Sequence, residues 1–104
     1  MTEHEVNIMI VGRTKKFKYN QHCVHVGRGE TIKWTLKKGK KELAFAIFVK
    51  ASVSPFDWSS AQGRTEIVGT VRTDADPGYY PYGVCAVDGA ELLLDDPEII
   101  VRRP

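Results

Sequence analysis

The 104-residue chain is predicted to fold as an all-β, Greek-key sandwich of seven to eight strands. Apolar residues recur with a period of two, and no apolar run keeps helical spacing beyond about two turns. Glycine, asparagine and Asp-Pro punctuate the chain at short intervals. The length supports one core and is too short for two of ordinary size, so a single domain over residues 1–104 is expected.

The elements follow in order. Val6, Ile8 and Ile10 alternate with Asn7, Met9 and Val11 before Gly12, and a short run over 17–19 ends at Asn20. Residues 23–26 lead into the turn Gly27-Arg28-Gly29-Glu30. In the next strand Ile32, Trp34 and Leu36 share the core face, while Thr31, Lys33 and Thr35 share the wet one. Lys37-Lys38-Gly39-Lys40-Lys41 reads as a solvated turn. Residues 43–49 are apolar on both faces, which predicts a strand covered on both sides.

The longest irregular segment is 52–63, where Pro55, Phe56 and Trp58 suit a short helical turn held by aromatic burial. Residues 66–72 alternate, 74–78 turn, and Tyr80, Tyr82 and Val84 share an inward face. Asp88, Glu91, Asp95, Asp96 and Glu98 gather in what reads as a solvated loop. Asp96-Pro97 ends it and starts a last strand through Ile99, Ile100 and Val101.

Composition narrows the function classes. Fifteen Lys and Arg against 13 Asp and Glu give a net charge of +2, which offers a phosphate backbone little attraction, so no nucleic-acid partner is expected. No stretch approaches the roughly 20 apolar residues that span a bilayer, and no basic region precedes an apolar run at the start. No membrane association and a cytoplasmic location are the expectation. There is no Gly-x-Ser-x-Gly elbow, phosphate-binding glycine loop or His-Glu-x-x-His helix, so no catalytic residue is assigned and the chain reads as a non-enzyme.

Cys23, Trp34 and Cys85 resemble the cysteine-tryptophan-cysteine pattern of immunoglobulin domains, but the phase is wrong. There the corner tyrosine shares a face with the second cysteine, whereas Tyr80, Tyr82 and Val84 have one parity and Cys85 the other. Two unbridged thiols are expected.

Four segments, in order between Val24 and Val101, resemble the cupredoxin family of plastocyanin and azurin. These are Val26-Gly27-Arg28-Gly29-Glu30-Thr31-Ile32-Lys33-Trp34, Ala44-Phe45-Ala46-Ile47-Phe48, Phe56-Asp57-Trp58-Ser59 and Pro77-Gly78-Tyr79-Tyr80-Pro81-Tyr82. The resemblance implies a type 1 copper site, which needs two imidazoles, a thiolate and a weak axial thioether. It puts the first histidine at Ala44, the cysteine at Val84, the second histidine at Val87 and the methionine near Leu92. None of these residues is a metal donor.

The expectation is therefore a cupredoxin-like domain without a cofactor, in which Ala44, Val84 and Val87 pack together into the space a metal would take. Its role would be binding or protein interaction, through Phe56, Trp58, Tyr79 and Asp88 at one end of the sandwich, with an unidentified protein partner and as a monomer or weak homodimer. The alternative is a copper-binding electron-transfer protein with atypical ligands drawn from His22, Cys23, His25 and Cys85.

Overall fold

A computed structural model describes residues 2–11 and 16–103, which form strands and no helix. The strands are β1 (Glu3–Val11), β2 (Lys16–Tyr19), β3 (Cys23–Val26), β4 (Thr31–Lys38), β5 (Lys41–Glu42), β6 (Phe45–Val49), β7 (Ser60–Arg64), β8 (Glu66–Thr70), β9 (Gly78–Asp88), β10 (Glu91–Asp95) and β11 (Glu98–Val101). One sheet has the order β2-β1-β4-β5, with β8 also on β4; the other has the order β3-β11-β9-β6-β7, with β10 also on β9. β1 pairs with β4 in parallel, as does β3 with β11, and the remaining pairs are antiparallel.

Alternation decides which side chains meet between the sheets. Val6, Ile8 and Ile10 of β1 and Ile32, Trp34 and Leu36 of β4 face Val24, Ile47, Tyr82, Val84 and Ile99 of the second sheet, all buried. Trp34 is the centre of this core. Its Nε1–H donates to Tyr82 Oη at 3.1 Å, and its ring meets those of Phe56, Trp58 and Tyr82 edge-on at 5.7 to 6.0 Å. Gly69 of β8 makes room for them, because a β-carbon there would fall 2.8 Å from Trp58 and 3.0 Å from Phe56.

Three expectations need correction. The segment 52–63 holds no helical turn: Phe56 bridges to Val71, and residues from Ser60 onward pair with β6 as β7. The Ser54 hydroxyl fixes the bend, accepting from Phe56 N–H at 3.1 Å and donating to the Trp58 carbonyl at 2.6 Å. The acidic stretch after Asp88 is a strand, β10, and the strand over 43–49 is covered on one face only, with Ala46 and Phe48 half-buried on the other.

Glu30 ties three chain segments together at one end of the sandwich. One carboxylate oxygen accepts from Gly27 N–H at 2.9 Å and lies 2.7 Å from His4 Nε2, and both oxygens accept from Arg102 at 3.0 Å. The Gly27 and His4 hydrogen bonds, with Arg102 behind them, hold the Glu30 carboxyl below its ordinary 4.5. A lowered folded-state pKa gives stability that is fully present above the unfolded value and is lost as pH falls through the folded one. Thermal melts should therefore show stability dropping below about pH 4.5, and Glu30→Gln should flatten that part of the profile while costing about 1–3 kcal/mol at neutral pH.

Candidate functional site

The segment that would carry most of a copper site is a regular β-hairpin. β9 and β10 pair from Asp88↔Glu91 through Val84↔Asp95, joined by the two-residue turn Gly89-Ala90. Gly89 adopts φ 64°, the conformation required at the first central position of such a turn. Side chains on this hairpin therefore alternate strictly between faces. Val84, Ala86 and Leu93 point into the core, whereas Cys85, Val87, Leu92 and Leu94 point out.

That alternation separates the positions expected to close together as a plug. Val84 is fully buried, but Val87 is 58% exposed, Leu92 60% exposed, and Ala44 is also exposed. Val84 lies on the opposite face of β9 from Val87 and its cross-strand neighbour Leu92, so a donor at 84 cannot share an ion with donors at 87 and 92. The donor set does not fit a type 1 centre: these residues are aliphatic, and among the described residues Cys85 is the one soft donor beside them. Among the described residues no group of three or more His, Cys, Asp or Glu is arranged to hold a metal.

Of the four atypical ligands, Cys23 and His25 come together and His22 and Cys85 stand apart. Cys23 and His25 share the outer face of β3, with Sγ 3.9 Å from Nε2. His22 instead packs edge-on against Tyr19 at 5.0 Å. Cys85 lies six residues along β9 from Tyr79, which is level with Ile100 and His25, placing it roughly 20 Å up the sheet. Burial, and behind it the Glu98 carboxylate, pushes the Cys23 thiol up, so it is held in its protonated form rather than poised as a ligand or nucleophile.

The four surface residues expected at one end do not share it. Phe56 is 2% exposed and stacks on the half-buried Trp58 at 4.8 Å, so the pair closes the core instead of offering a contact. Tyr79 is 59% exposed and donates to Glu98 Oε2 at 2.7 Å. Asp88 is half-buried and accepts from Lys38 Nζ at 2.5 Å. Tyr79 and Asp88 stand near opposite ends of β9, about 30 Å apart.

The outer face of the second sheet is the surface that sequence reasoning missed. Cross-strand neighbours Leu92 and Val87, then Leu94, Cys85 and Ala46, then Gly83 and Phe48 form consecutive rows. Phe48 lies over Gly83 so closely that a β-carbon there would fall 2.1 Å from its ring. Ala44, Ala46, Gln62, Gly63, Cys85 and Val87 surround an open depression of about 420 Å³. The Lys50–Asp96 ion pair bounds the patch at one end, whereas Lys38 of the first sheet reaches Asp88 from the other side of β9. The dipeptide Asp88-Gly89 before an apolar triplet was the signal that could have revealed the hairpin.

No family model matches this sequence, and no curated protein matches it. Solved structures do match. The chain is similar to a variant of amicyanin in its reduced Cu(I) form at pH 4, with 15% identity and a TM-score of 0.55 over 96% of this chain and 82% of that one. Pseudoazurin from Methylobacterium extorquens AM1 matches with 13% identity and a TM-score of 0.55 over 95% of this chain and 74% of that one. The N-terminal domain of phage TP901-1 ORF48 matches with 11% identity and a TM-score of 0.53, over 99% of this chain and all of that one. At these identities the likeness is one of architecture: the chain is an all-β sandwich with the cupredoxin fold.

Proposed function

We propose that this domain is a non-enzymatic binding module that has lost the copper chemistry associated with its fold and works through the outer face of its second sheet. The β9–β10 hairpin carries this reading. It sends Val84 inward and Val87 and Leu92 outward, which removes the convergence a trigonal copper site needs. The same hairpin presents apolar side chains to solvent in cross-strand rows. Contiguous exposed apolar surface of this kind marks interaction sites.

Titration with Cu(II) and then Cu(I) tests it. No blue-copper charge-transfer band and no metal-dependent rise in melting temperature are the expected results, since a ligand bound only by the native state stabilises it. A thiolate-to-copper band in the visible range would overturn the reading in favour of an electron-transfer protein. Cys23→Ser and Cys85→Ser variants would then identify the sulfur.

A further inference from the structure

Projecting side chains and a hollow lie next to each other on the outer face of the second sheet. Leu92 and Leu94 stand out from β10 on one side of β9, while the depression beside Ala44 and Ala46 lies on the other. β6 and β10 are both antiparallel to β9 and so run in the same direction. A two-fold axis laid along β9 therefore puts β10 of a second copy over β6 of the first, with strand directions matched, and does so twice. Leu94 is level with Cys85 and Ala46, and Leu92 is level with Val87 beside Ala44, so each leucine comes down on a small residue.

Charge supports the same arrangement. The rows within the patch carry no charged side chain. Lys50 and Asp96 flank β9 from opposite sides near Pro81, so the axis brings Lys50 of one copy over Asp96 of the other and extends the existing pair into a four-membered set. Pairing edge to edge through β10 is disfavoured, because an antiparallel match centred on Leu93 sets Glu91 against Asp95. The patch offers on the order of 400 Å² per copy, about half of the ~800 Å² per partner in a standard interface, which suits a weak, concentration-dependent dimer.

We propose, building on the binding role argued above, that a second copy of this chain docks here as a face-to-face two-fold dimer with Leu92 and Leu94 seated in the depression. Analytical ultracentrifugation across a concentration series tests it. The weight-average mass should rise twofold, with its midpoint on the order of 10–100 µM. The double variant Leu92→Lys, Leu94→Lys should stay monomeric with an unchanged near-UV circular dichroism spectrum, because both side chains are already exposed.

Cys85 lies close to the axis, and packed sheets stand about 10 Å apart, beyond the roughly 7 Å a disulfide bridges. A short bismaleimide should therefore join two copies in the wild type and in Cys23→Ser, and fail in Cys85→Ser. A protein that remains monomeric to ~1 mM, a dimer indifferent to the lysine pair, or cross-linking through Cys23 would each overturn the dimer. Copper uptake, by contrast, would sink the functional reading and leave the dimer standing.

Discussion

Trp34→Ala should be the most damaging single substitution in this protein, costing about 3–5 kcal/mol. The indole is fully buried, meets three other aromatic rings and spends its one donor on Tyr82 Oη. Removing it leaves a void bordered by Phe56, Trp58 and Tyr82, and strands the Tyr82 hydroxyl without its donor. Burial pushes the Tyr82 phenol well above its ordinary range, so it stays neutral while the domain is folded. For a chain of this length total stability is about 5–15 kcal/mol, and the loss corresponds to a fall in melting temperature of roughly 15–30 °C. Tyr82→Phe, which removes only the acceptor, should cost about 1–3 kcal/mol. A Trp34→Ala protein that melts within a few degrees of the wild type would show that the aromatic cluster is not the centre of the core.

Restoring the missing donors should fail to create a type 1 copper centre. The combined variant Ala44→His, Val84→Cys, Val87→His, Leu92→Met supplies every residue type the resemblance implies. The hairpin nevertheless sends position 84 inward and positions 87 and 92 outward. A thiolate at 84 would be enclosed by the core, whereas the imidazoles at 44 and 87 and the thioether at 92 would stand in solvent. Absorption spectroscopy with added Cu(II) should show no intense blue band. Appearance of that band would mean that the hairpin readily opens into a loop able to gather the four positions.

The architecture was readable where one face of a strand is apolar and the other polar. β4 is the clear case: Ile32, Trp34 and Leu36 are buried, while Thr31, Lys33 and Thr35 face outward. Tyr80, Tyr82 and Val84 behave likewise. The candidate surface was harder to read, for two physical reasons. Residues 43–49 are apolar on both faces, and sequence pattern alone does not separate a strand covered by its own chain from one open to another molecule. In β10 the acids on either side of Leu92, Leu93 and Leu94 suggested a solvated loop, and the Gly89 turn signal was outweighed by charge.

For Phe56 and Trp58 the expected aromatic burial holds and the expected contact surface does not. Two large aromatics among Ser and Gln in an irregular segment look like a contact surface, yet stacking on each other and against Trp34 brings them into the core. That depends on Gly69, whose lack of a side chain opens the space they fill. A glycine in an alternating strand announces a close approach without naming what approaches.

Thiol reactivity along the hairpin tests the alternation most directly. In a Cys23→Ser, Cys85→Ser background, Val87→Cys and Leu92→Cys should react with an aromatic disulfide reagent at the rate of an exposed thiol. Val84→Cys should react at least ~100-fold more slowly, through local opening of the sheet. Equal reactivity at 84 and 87 would contradict a regular hairpin and restore the solvated loop that the acidic residues suggested.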